Sequence, residues 1–162
     1  MAYQNDLLVP GDGALNGFNR FTTAREYNLG ETRFDNTGKK YRYVQFKDAV
    51  TYAAGHCLDV ANTAWTAVTN DRALGSAIGT QTAFGGVCLG APTQNSYGWV
   101  QVGGIATVLG DGSVAAGDAV VLHSVDGQAD TMAAGEEHQV FGVALEADDA
   151  TTALFACRLL GY

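Results

Sequence analysis

The feature that most constrains this chain is that it repeats itself. Tyr41-Arg42-Tyr43-Val44-Gln45-Phe46 recurs as Tyr97-Gly98-Trp99-Val100-Gln101-Val102, with aromatics at the first and third positions and Val-Gln at the fourth and fifth. Ala53-Ala54-Gly55-His56-Cys57-Leu58 recurs as Ala115-Ala116-Gly117-Asp118-Ala119-Val120. Phe84-Gly85-Gly86-Val87-Cys88-Leu89 recurs, one residue shorter, as Phe141-Gly142-Val143-Ala144-Leu145. Three blocks in one order are the mark of a duplicated structural unit.

Each copy reads as an aromatic strand, an Ala-Ala-Gly turn into an apolar strand, a polar excursion and a Gly-Val return strand. The residues from Tyr41 to Phe46 alternate with the two-residue period of a strand. The turns Asp111-Gly112 and Asp126-Gly127 lie between strand-like runs. A helix is conceivable only within 71–82, and Gly75 and Gly79 weaken it. Twenty-one glycines against two prolines suit many tight turns. The expected fold is therefore all-β: a small β-barrel or β-sandwich built from two repeated modules, 41–96 and 97–162. Modules of this size bury too little surface to be stable alone, so the two should share one core.

Residues 1–40 precede the duplicated unit and show little periodicity, with a glycine-rich stretch from Pro10 to Gly17 and a turn at Asp35-Asn36-Thr37-Gly38. They read as an extended arm. The arm still carries Leu7, Leu8, Val9, Phe18, Phe21, Tyr27 and Phe34, too many large apolar groups to remain in water. It also holds five basic and five acidic residues, so the whole net charge of −8 belongs to residues 41–162. An arm bearing Arg20 and Arg25 could seek acidic neighbours, including other copies of its own body.

The composition narrows the function classes. A net charge of −8 would repel a phosphate backbone, and Lys39-Lys40 is the sole basic doublet beyond scattered residues, so direct nucleic-acid binding is disfavoured. No apolar stretch approaches the length of a membrane span, and the first residues lack the pattern of a signal peptide, so synthesis in a cytoplasm is expected. Cys57, Cys88 and Cys157 sit among apolar neighbours and read as buried, reduced thiols. There is no zinc-ligand spacing, and no cofactor is implied.

Catalysis finds no constellation. His56, His123 and His138 lie at no recognisable spacing from a nucleophile or carboxylate. His56 and Cys57 are adjacent, and adjacent strand residues point to opposite faces. Glu136-Glu137 and Asp148-Asp149 lack the alternating oxygen ligands of a calcium loop. Gly11-Asp12-Gly13 and Gly110-Asp111-Gly112 precede no convincing helix, so they read as turns rather than phosphate loops. Tyr97 with Trp99, or Tyr41 with Tyr43, could form a sugar-stacking platform, although cross-strand aromatic packing explains them more simply. A non-enzymatic binding or structural protein is the reading.

The block Tyr97–Val102, then Ala115-Ala116-Gly117-Asp118, then Phe141-Gly142-Val143-Ala144-Leu145-Glu146-Ala147, closing in a strand from Ala153 to Leu160, resembles the capsid decoration, or cement, proteins of tailed bacteriophages. The resemblance is strongest over 97–160, extends through the repeat over 38–91, and is weak over the first 28 residues. It implies a β-rich protein on the outer surface of the capsid, often a homotrimer, whose partners are the major capsid protein and other copies of itself. It implies that the protein stiffens the shell by bridging capsomers, and that an arm reaching over neighbouring subunits buries its apolar groups there. Leu7, Leu8, Val9, Phe18, Arg20, Phe21, Arg25, Tyr27 and Phe34 are then the contact candidates. The alternative is a carbohydrate-binding or host-adhesion module on a head fibre or tail.

Overall fold

A computed structural model describes residues 17–47, 51–60, 65, 68–69, 83–149 and 153–161 of the chain. The described residues are almost entirely strand and turn. In chain order the strands are β1 (Thr32–Phe34), β2 (Lys40–Gln45), β3 (Cys57–Val60), β4 (Val68–Thr69), β5 (Ala83–Cys88), β6 (Tyr97–Leu109), β7 (Ala119–Leu122), β8 (Ala129–Thr131), β9 (Gly142–Ala144) and β10 (Leu154–Leu160), with one 3-10 turn at Glu137–Gln139. The doubtful helix within 71–82 lies outside the described residues.

All ten strands belong to one sheet, in the order β4-β3-β5-β6-β10-β9-β7-β8, with β2 on β6 and β1 on β2. Every ladder is antiparallel. The sheet is not closed by a continuous ladder. Each half instead has one isolated parallel bridge, Phe46 to Val68 in the first and Gly110 to Ala129 in the second.

The duplication is visible in the pairing itself. Arg42↔Val100, Tyr43↔Trp99 and Val44↔Gly98 between β2 and β6 correspond to Ala106↔Cys157, Thr107↔Ala156 and Val108↔Phe155 between β6 and β10. Likewise Asp59↔Thr69 and Val60↔Val68 correspond to Val121↔Asp130 and Leu122↔Ala129. The thirteen residues of β6 therefore serve twice: the beginning closes the first half as its last strand, and the end opens the second half as its first. The turn before each inner strand is the same device. Gly55 and Gly117 take φ of +89° and +93°, and their amides donate to Cys88 O and Ala144 O, both at 2.9 Å.

One sequence block needs a different register. The structure sets Tyr41–Gln45 antiparallel beside Tyr97–Gln101, as neighbours on adjoining strands rather than equivalents in two modules. The blocks resemble each other because their aromatics enter the same cluster. The missing residue of the third block also has a place. Leu58 pairs with Gly86 and Asp59 with Phe84, so Gly85 is a bulge in the first half that the second half lacks.

Equivalent positions fill two cores. Val44, Leu58, Val68, Cys88, Val100 and Val102 form one, and their counterparts Val108, Val120, Ala129, Ala144, Cys157 and Leu159 form the other. The halves share an interior: Cys57, Val87 and Phe84 of the first pack into the second core, where Phe84 stacks on its counterpart Phe141 with centroids 4.2 Å apart. The three cysteines are buried and unpaired. Burial pushes the Cys88 thiol up to about 11 and the Cys157 thiol up to about 12.

Candidate interaction surfaces

Phe18, Tyr27 and Leu29, from the segment before β1, join the outer face of β2 and the first half of β6, whereas Phe21 packs on the opposite side against the first core. Thr22 bridges to Tyr97 through two backbone hydrogen bonds of 2.9 and 2.8 Å. Phe18 stacks on Tyr41 with centroids 4.0 Å apart and meets Trp99 edge-on at 5.4 Å. Tyr27 packs on Tyr43 and Trp99, and Phe21 lies edge-on to Phe46. A Cβ at Gly98 would sit 2.5 Å from the Phe21 ring, so only glycine lets the segment approach so closely. Phe18, Phe21 and Tyr27 thus pack on their own chain, Phe18 and Tyr27 covering the β2/β6 aromatics and Phe21 lying against the first core.

The other contact candidates fall into two groups. Leu7, Leu8 and Val9 lie outside the described residues. Arg20, Arg25 and Phe34 are exposed. Arg20 pairs with Glu26 at 3.0 Å, and Arg25 Nε donates to Tyr27 O at 2.9 Å. Phe34 is 62% exposed at the end of β1. Its hairpin is braced by the buried Asp35, whose Oδ1 accepts from Thr37 N (2.8 Å), Thr37 Oγ1 (2.7 Å) and Lys39 N (2.9 Å). The Tyr41 hydroxyl donates to Asp35 Oδ2 at 3.1 Å. Burial alone would raise the Asp35 carboxyl, but these hydrogen bonds outweigh it and hold it below the usual aspartate range. Burial and the neighbouring Asp35 carboxylate raise the Tyr41 phenol in turn.

Of the supposed sugar platform, Tyr97 is partly buried and the other three rings are interior. Trp99 is 1% exposed and Tyr41 and Tyr43 are buried, so cross-strand packing accounts for these rings. His56 and Cys57 diverge as expected: the His56 ring lies against Gly127, and Cys57 enters the second core. Asp126 favours the charged His56 ring, but burial outweighs it and lowers its pKa.

The structure gathers one polar cluster that sequence spacing did not reveal. Asp111, His123 and Asp130 have ligand atoms within 4.8 Å of one another. Pairing across β7 and β8 and the Gly110 bridge brings these separated positions together. His123 Nε2 lies 3.8 Å from Asp111 and 3.9 Å from Asp130. Its Nδ1 accepts a hydrogen bond from Val125 N at 3.0 Å, so Nε2 carries the proton of the neutral ring and presents an N–H to both carboxylates. A cation at Nε2 would need the other tautomer. Ser113 completes the cluster at 2.8 Å from Asp111 and 3.1 Å from Asp130, so hydrogen bonding accounts for the arrangement.

A second unexpected surface is the outer face of β6, β10 and β9 in the second half. Leu154 is 53% exposed, Ile105 49%, Leu160 46% and Leu145 40%. The signal in sequence is that Leu154 to Leu160 is apolar at nearly every position, with Phe155, Cys157 and Leu159 on one face and Leu154, Ala156 and Leu160 on the other.

No protein-family model matches the chain, and no curated protein matches it. Among solved structures, the chain is similar to the N base of the head fiber protein gp8.5 of bacteriophage phi29, at 13% identity and a TM-score of 0.49, over 74% of this chain and 93% of that one.

Proposed function

We propose that the protein is a bacteriophage head decoration, or cement, protein that binds the outer surface of the capsid, bridges capsomers and does no catalysis. In this reading its partners are the major capsid protein and two further copies of itself. Support comes from the resemblance of the Tyr97–Val102, Ala115–Asp118 and Phe141–Ala147 segments and from a body in which charged residues are few. The observation that carries the contact site is Phe34, a large ring held in water by a hairpin that Asp35 fixes.

A preformed hairpin loses little conformational freedom on docking, so burial of the ring is not cancelled by ordering. Aromatic anchors entering partner pockets dominate many interfaces, at about 2 kcal/mol or more each. Arg20 and Arg25 add positive charge that suits an acidic partner. A trimer presents this surface three times to a repeating shell, so contacts of modest individual strength give slow release.

The test adds purified protein to heads that lack it. Phe34→Ser should lower affinity about thirtyfold, the equivalent of about 2 kcal/mol, while leaving thermal unfolding of the free protein unchanged. Equal occupancy by the variant would exclude the hairpin as the contact.

A further inference from the structure

The pseudo-repeat makes an unequal pair of surfaces comparable position by position. In the first half, Tyr41 opposite Gln101, Tyr43 opposite Trp99 and Gln45 opposite Tyr97 form the outer face of β2 and β6. Their counterparts are Ile105 opposite Arg158, Thr107 opposite Ala156 and Leu109 opposite Leu154. The adjoining rings of Tyr43 and Trp99, with centroids 5.2 Å apart, are thus replaced by the small side chains of Thr107 and Ala156. Leu145, whose amide donates to Ala156 O at 2.8 Å, flanks this low centre on one side, and Ile105 stands two residues before Thr107 on β6. Leu154 closes one end, lying over the Gly55 turn. The result is a shallow seat for a large side chain, and its rim residues Leu145, Ile105 and Leu154 are 40%, 49% and 53% exposed.

The first face shows what kind of group completes such a surface. A stretch of chain that bridges antiparallel to β6 at Thr22 and Tyr97 brings Phe18 onto Tyr41 and Trp99, and Tyr27 onto Tyr43 and Trp99. Charge defines the occupant of the second face further. Arg158 lies there between Ile105 and Val143, is exposed, and is the only Lys or Arg after Arg72, in a stretch that carries nine Asp and Glu. The ion pairs among the described residues do not engage it. A guanidinium set in an apolar surface selects a carboxylate. Size argues against a pair of free copies. Three strands about 4.8 Å apart and the seven residues of β10 give a face of about 340 Å², against roughly 800 Å² per partner in a stable interface.

We propose that the outer face of β6, β10 and β9 seats an extended segment of the capsid protein, with a large apolar side chain over Thr107 and Ala156 and a carboxylate on Arg158. The assignment rests on the capsid-binding reading and gives it a second contact besides the Phe34 hairpin. A face too small to hold a partner alone suits a site that acts together with another on the same shell. Its docking removes from water an apolar patch of the size that marks interaction sites on soluble proteins.

Two measurements test this. On heads that lack the protein, Ala156→Trp, which fills the seat, and Arg158→Glu, which repels the carboxylate, should each bind about tenfold more weakly, with thermal unfolding of the free protein unchanged. Wild-type occupancy by either variant would overturn the seat, and with Phe34→Ser still weakened it would leave the capsid reading standing. Heads that bind no form of the protein would overturn both. The chain has two isoleucines, Ile78 and Ile105, so the Ile105 δ1 methyl is readily assigned. In the free protein a soluble nitroxide should broaden that methyl at every protein concentration. Protection independent of concentration would mean that the chain covers the face itself, and protection that grows with concentration would put a second copy there. Either result overturns the proposal.

Discussion

Phe18 shows how a residue can be readable by type and misleading by place. Its bulk required burial, which the sequence conveyed, but its position before the repeat suggested a neighbouring subunit as the burial site. Its partners Tyr41 and Trp99 are 23 and 81 residues further along the chain, and no local pattern pairs a ring with rings that distant. Removing it would leave a cavity against two buried aromatics. Phe18→Ala should therefore cost about 3–4 kcal/mol, read as a lower urea midpoint with an unchanged slope. A loss below about 1 kcal/mol would mean that the segment is not packed on the sheet as described. Phe34 has the same chemistry and the opposite setting, because Asp35 holds the hairpin that keeps it in water.

Among the elements, the β1–β2 hairpin and β6 carry most of the consequences. The Asp35 carboxyl is held below its usual range, so the folded protein binds its proton less readily than the unfolded chain does. The stability it contributes is fully present above the unfolded value of about 4 and is lost as pH falls through the folded value. Asp35→Asn should lower stability by about 1–2 kcal/mol at pH 7. The gap to the wild type should shrink toward pH 3 in urea unfolding at both pH values. An unchanged gap would show that the charge of Asp35 plays no part in bracing the hairpin. Strand character and the two inner turns were legible because alternation and glycine act locally. The double use of β6 was not, because Tyr97–Val102 imitates Tyr41–Phe46 in composition while lying beside it. The Asp111–His123–Asp130 cluster escaped for the same reason, since only the closing bridge of the second half brings its members together.

At the scale of the whole molecule, duplication gives two halves whose cores match position by position and whose outer faces do not. The asymmetry comes from the single N-terminal segment, present once for two copies of the fold. The described residues thus present one braced hairpin, one covered face and one apolar face. No α-helix occurs among the described residues, and no helix there is long and apolar enough to cross a membrane. The repeat was legible in sequence because it rests on short contiguous motifs. Which surface meets a partner was not, because exposure is a property of the assembled fold. Electron cryo-microscopy of virions whose genome encodes the chain tests the decoration reading most directly. Density matching the two-half sheet should stand on the outer surface of the head, in threefold groups, with the Phe34 hairpin against the major capsid protein. The same density on the tail, or its absence from the particle, would contradict it.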